Sequence, residues 1–128
     1  MLGKTAAVTA TVTPENTAKA AGSGSLEVFA TPMMVALMER AACAALAGCL
    51  APGQTSVGTH ISVRHSAASP LGMEVTAAAT ITAVNGRSVE MRVTASDRAG
   101  EIGSGTHSRV IVDEARFLAK VNAKGAGP

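Results

Sequence analysis

A chain of 128 residues with 47% hydrophobic and 16% charged side chains is the size of one domain with a packed core. Its net charge is only +2, its Lys and Arg are not clustered, and Phe29 and Phe117 are its only aromatic residues. A nucleic-acid backbone reader needs basic patches and a single-strand binder needs stacking rings, so composition argues against both.

Residues 4–13 alternate Val and Ala with Thr, the pattern of a strand. Pro14-Glu15-Asn16-Thr17 breaks it, and the Gly/Ser-rich residues that follow predict a flexible loop over about 14–26. Just before a helix, such a segment reads either as a lid over a pocket or as a plain surface loop. Composition alone favours the loop.

Phe29 to Gly48 reads as a helix. Thr31 suits the N-cap and Pro32 the first helical position, while Gly48 or Pro52-Gly53 supplies the stop. Between Met33 and Leu50 only Glu39 and Arg40 carry charge. A helix apolar nearly all round is predicted to be buried nearly all round, and a carboxylate there is neutralised, paired or used. A membrane span is disfavoured, because the charged pair falls near its middle at a cost of at least ~2.5 kcal/mol each. Cys43 and Cys49 lie ~9 Å apart along this helix, too far for a disulfide. Two buried free thiols, with no apolar run after Lys4 to act as a signal peptide, point to a reducing cytoplasm. There is no CxxC pair, and no metal site is expected.

A second strand is predicted over about 56–66, with Ile61, Val63 and His65 on the parity that faces the helix. A third covers 73–84, with Val75, Ala77, Ala79, Ile81 and Ala83 on one face. Asn85-Gly86 marks a hairpin into a fourth, 87–96, with Val89, Met91, Val93 and Ala95 inward. A fifth covers about 101–112, weakened by Gly103 and Gly105, and 113–120 forms a short terminal turn or helix. One strand, one long helix and four antiparallel strands define an α+β domain spanning residues 1–128, with a five-stranded sheet wrapped around a central helix. Such a sheet covers the helix only partly, so a dimer with the helix near its interface is expected.

Three groups carry the chemistry: Thr31, Glu39 and His65. Thr31 sits at a helix N-terminus, where free N–H groups favour a developing oxyanion, but its plain reading is a cap. Glu39 could pair with Arg40 or Arg64, and His65 could be a core histidine. A carboxylate and an imidazole facing one interior favour acid–base work. Thr31 and Glu39 are ~12 Å apart along the helix, so either His65 bridges part of the gap or a second chain completes the site.

The residues Val28-Phe29-Ala30-Thr31-Pro32, Leu37-Met38-Glu39, Gly58-Thr59, His65-Ser66-Ala67-Ala68-Ser69-Pro70, Glu101-Ile102-Gly103-Ser104-Gly105-Thr106-His107 and Arg109 form a specific pattern. It resembles the hotdog-fold thioesterases related to fluoroacetyl-CoA thioesterase, over roughly residues 27–122. The resemblance implies a hotdog homodimer, or a dimer of dimers, that hydrolyses an acyl-CoA thioester. It places the catalytic Thr, Glu and His on Thr31, Glu39 and His65, an acyl-pocket glycine on Gly58 and a conspicuous arginine on Arg109. Coenzyme A would be part of the substrate, with no separate cofactor. Arg109, Arg64 and Lys120 are candidates to meet its phosphates. The fluoroacetyl-specific enzyme closes its pocket with phenylalanines before the helix; here Gly22-Ser23-Gly24-Ser25 stands instead, which implies a different, bulkier acyl group. The same fold hosts hydratases and dehydratases, and a non-catalytic acyl-binding dimer is the third possibility.

Overall fold

The structure is a computed structural model that describes residues 1–127. Strand β1 spans Thr5–Thr11 and is followed by a 3₁₀ turn, Pro14–Asn16, and a single helical turn, α1, Ala18–Ala21. The long helix α2 covers Thr31–Leu46. Strands β2 (Gln54–His65), β3 (Glu74–Asn85), β4 (Ser88–Asp97) and β5 (Gly100–Asp113) complete the sheet, and helix α3, Glu114–Ala126, ends the chain. The sheet is antiparallel throughout, in the order β1-β3-β4-β5-β2.

The alternation read from the sequence places the core. Val75, Ala77, Ala79 and Ile81 of β3 and Val89, Met91, Val93 and Ala95 of β4 are buried against Met34, Leu37, Met38, Ala41, Ala42, Ala45 and Leu46 of α2. Alanines on both surfaces let helix and sheet approach closely, which a core without large aromatic rings requires. Ala83 departs from the expected face. A register shift between Ile81 and Ala83 turns it outward, where it is exposed. The hairpin closes with Asn85 opposite Ser88, and Gly86, at φ 61°, takes the first turn position.

Gly103 and Gly105 do not interrupt β5. A Cβ at 103 would lie 2.6 Å from the Arg64 carbonyl oxygen and from Met34 Sδ, and one at 105 would collide with the Ser62 carbonyl. Glycine is what allows β2 to curl this tightly over β5.

The helix is not buried all round within one chain. Thr31, Pro32, Met33, Ala36, Arg40 and Cys43 are exposed, and Glu39 is half-buried. Cys43 is therefore an exposed thiol and Cys49 a partly buried one, not the pair of core thiols expected. Among the described residues no helix is long and apolar enough to cross a membrane.

Candidate active site

The first surprise is local. Ala30, not Thr31, is the N-cap, and Thr31 and Pro32 are the first two helical residues. Met33 and Met34 both direct their N–H groups to the Ala30 carbonyl, at 3.0 and 2.9 Å, and Pro32 has none. This leaves at most the Thr31 N–H, so the helix terminus is a poorer oxyanion cradle than its position suggested. Freed from capping, the Thr31 hydroxyl shares a 2.8 Å hydrogen bond with His65 Nδ1. The parity argument holds: His65, at the end of β2, reaches the start of α2.

Burial lowers the His65 pKa below its ordinary 6.5. The Ala67 backbone offsets part of that without completing a hydrogen bond to Nε2, which is buried and unpartnered. A neutral ring with its proton on Nε2 presents the Nδ1 lone pair to Thr31, the arrangement of a general base. Beside the pair lies a cavity of about 240 Å³ lined by Ala18, Ser23, Val28, Phe29 and Ala67. The segment before the helix is exposed over residues 19–27 and lends Ala18, Ser23 and Val28 to the wall of this cavity. Ala18 N–H bonds the Val28 carbonyl at 2.8 Å, and Thr17 pairs with Phe29. A larger depression of about 660 Å³, beside Leu71, Glu74 and Asp97, lies away from these groups.

Glu39 does not meet His65 in this chain. Its Oε2 lies 3.3 Å from Arg109 Nη1 and 3.9 Å from His107 Nε2. The expected bridging of Thr31 to Glu39 by His65 within one chain is therefore absent. The protomer carries two half-sites on one helix: Thr31 with His65, and Glu39 with Arg109. The carboxylate side chain is 42% exposed, so it lies on the open face of α2 and not in the fully wrapped surroundings the helix pattern implied.

Gly58 faces the second half-site. A Cβ there would sit 2.8 Å from Glu39 Oε2, 3.2 Å from His107 Cε1 and 3.3 Å from Arg109 Nη1. In a regular strand Gly58 and His65 would face opposite sides of the sheet. A bulge resolves this: Gly58 pairs with Arg109 and His60 with Ser108, which leaves Thr59 as the extra residue. One inserted residue thus aims both candidate positions at α2.

Arg109 is 6% exposed. Its Nε–H donates to Ser56 Oγ at 2.9 Å and its Nη2 to the Ser56 carbonyl at 3.1 Å. Its Nη1 is shared between Glu39 and His107. So committed, it is not free to meet a phosphate; Arg64 and Lys120 are exposed. His107 was quoted in the sequence pattern but given no role. Its signal was parity, since it lies on the same face of β5 as Arg109 and Ile111, all three buried. Among the described residues no group of three His, Cys, Asp or Glu side chains is placed to hold a metal ion.

One helix cradled by this sheet order is a hotdog fold, here with an imidazole–hydroxyl pair at one end of the helix and a carboxylate on its open face. The chain belongs to the fluoroacetyl-CoA-specific thioesterase (FlK) family, whose model matches residues 12–115. It is 50% identical to the fluoroacetyl-CoA thioesterase of Streptantibioticus cattleyicolor over 98 residues, 77% of this chain and 70% of that one. A variant of the fluoroacetyl-CoA-specific thioesterase FlK, solved with fluoroacetate and CoA, is 40% identical and superposes with a TM-score of 0.85 over 91% of this chain and 98% of that one. A Thermus thermophilus thioesterase superfamily member is 31% identical, with a TM-score of 0.90 over 98% of this chain and 93% of that one. The chain is accordingly an acyl-CoA thioester hydrolase.

Proposed function

We propose that the substrate is a small acyl-CoA whose acyl group is bulkier than fluoroacetyl, and that the working enzyme is a cytoplasmic homodimer, without metal or organic cofactor, whose sites draw on both chains. The observation that carries this reading is the 2.8 Å bond between Thr31 and His65, made in a chain whose Glu39 faces elsewhere. His65 takes a proton from the Thr31 hydroxyl, or from a water beside it, as the new C–O bond forms at the thioester carbon. The C–S bond then breaks, and the same proton goes to the departing CoA sulfur. Where Thr31 was the nucleophile, His65 next takes a proton from a water that attacks the acyl-threonine ester, the bond to the Thr31 oxygen breaks, and that oxygen recovers the proton as the acid leaves. Glu39 supports the reacting centre from the open face of α2, and Gly58 lets the acyl group approach the Glu39–Arg109 pair. The cavity wall supports the choice of acyl group: Ala18 and Ser23 stand there, and no aromatic ring precedes Phe29.

The test is thiol release from a panel of acyl-CoAs from acetyl to hexanoyl, with fluoroacetyl-CoA included. The reading expects a preference for chains longer than acetyl and no special rate with fluoroacetyl-CoA. Preferential turnover of fluoroacetyl-CoA would overturn the substrate assignment, and an enoyl product without free thiol would replace hydrolysis by hydration chemistry. Full turnover in both Glu39→Gln and His65→Ala would remove the assigned roles.

A further inference from the structure

The second half-site contains a group that no part of the hydrolysis uses, His107, and it is 1% exposed. Its Nδ1 lies 2.7 Å from the His60 carbonyl oxygen, and its Nε2 lies 3.2 Å from Arg109 Nη1. These partners fix the tautomer. A carbonyl can only accept, so Nδ1 carries the proton; a guanidinium can only donate, so Nε2 must offer its lone pair. The 3.9 Å from His107 Nε2 to Glu39 Oε2 is too long for a hydrogen bond, so the ring acts on the carboxylate only through the arginine.

We infer that His107 is a positioning residue for the reaction: it turns the Arg109 guanidinium so that Nη1 holds Glu39 by its Oε2 oxygen against Gly58. Ser56 fixes one side of the guanidinium, through Nε and Nη2. His107 fixes the other. Its anchor is the carbonyl of His60, which lies directly after the extra residue of the β2 bulge. One bulge therefore both aims Gly58 at the carboxylate and supplies the acceptor that sets the histidine. A carboxylate held by a single oxygen presents the other to water or substrate, and a small misplacement there costs turnover more than binding.

The inference rests on Glu39 taking part in hydrolysis, and two substitutions test it separately from that reading. In His107→Asn the amide occupies the Nδ1 position, keeps the bond to the His60 carbonyl and falls short of Arg109. In His107→Gln the longer side chain supplies an acceptor to Arg109 and gives up His60. A positioning role predicts that Asn lowers kcat about ten- to a hundredfold at unchanged KM, while Gln retains most of it. A merely structural role predicts the reverse order, tracking the melting temperature of the two variants, and would overturn the inference. In a Glu39→Gln background His107→Asn should cost nothing further, whereas additive losses would also overturn it. Undiminished turnover in Glu39→Gln alone would remove the underlying role of Glu39 and the inference with it; a damaged Glu39→Gln with an unaffected His107→Asn would remove the inference only.

Discussion

The base role proposed for His65 requires a neutral ring, and burial favours that form. Its pKa lies below 6.5, so the acid limb of kcat/KM should fall at a pH below the ordinary histidine value, read from a pH–rate profile. An acid limb above 6.5 would show that a carboxylate brought to the ring by a second chain outweighs the burial seen within one chain. The same burial links to stability: below pH 6.5 the unfolded chain takes up the proton before the folded one does. The His65 contribution is therefore complete above that pH, declines as acid is added, and is spent once the folded ring protonates too. His65→Ala should lower kcat by about 10²–10⁴-fold, the usual range for a lost general base, in a steady-state thiol-release assay. At this scale Glu39 and His65 stood out as candidates because each is a polar residue on an apolar pattern, and Thr31 because it opens the helix. Their partners did not. Helical spacing separated Thr31 from Glu39, but no spacing rule says that the hydroxyl takes the histidine and the carboxylate takes an arginine from the last strand. Likewise Asp97 has its pKa lowered chiefly by the Ser69 hydroxyl 2.7 Å away, a long-range pairing that local sequence does not reveal.

Among the elements, the glycines of β2 and β5 perform two different tasks, and their substitution should separate them. At Gly105 the obstacle to a Cβ is backbone, the Ser62 carbonyl and Val63 Cα, which cannot give without parting the strands. Gly105→Ala should therefore destabilise the fold by about 1–3 kcal/mol, a loss of several degrees in a thermal melt. At Gly58 the nearest obstacle, at 2.8 Å, is the end of the half-exposed Glu39 side chain, which can swing away. Gly58→Ala should leave the melting temperature within a few degrees of wild type and depress kcat. A variant with full activity would show that the carboxylate position is not used. The strand order and inward faces were readable from alternation in the sequence, because one side of each strand must be apolar. The bulge at Thr59 was not. An inserted residue changes parity without changing composition, so no alternation rule places Gly58 and His65 on one face of the sheet. The Gly/Ser run at 22–25 hid the short ordered turn just before it. Thr17 caps α1 through the Ala20 N–H, and Gly22 at φ 74° ends that turn.

For the molecule as a whole, the open face of α2 carries the argument. The sequence showed a helix too apolar for one sheet to cover, and the fold leaves Thr31, Met33, Ala36 and Cys43 exposed beside the half-buried Glu39. In the homodimer proposed above, two half-sites separated by two helical turns meet where a second copy is laid antiparallel against the first, so that the Thr31 end of one helix faces the Glu39 region of the other. Subunit mixing tests this directly. His65→Ala alone and Glu39→Gln alone should each be nearly inactive as homodimers. Mixed in equal amounts, and allowed to unfold and reassociate, half the dimers are hybrids. Each hybrid then has one site with an intact His65 from one chain and an intact Glu39 from the other, so the mixture should recover about one quarter of wild-type turnover. Should Thr31, His65 and Glu39 instead act within a single chain, both sites of every hybrid carry a defect and mixing restores nothing. The recovery needs no knowledge of the acyl group, since any acyl-CoA turned over by the wild type reports it. It reads out the relationship on which the proposed homodimer rests, that a carboxylate held by Arg109 serves a hydroxyl held by the other subunit's imidazole.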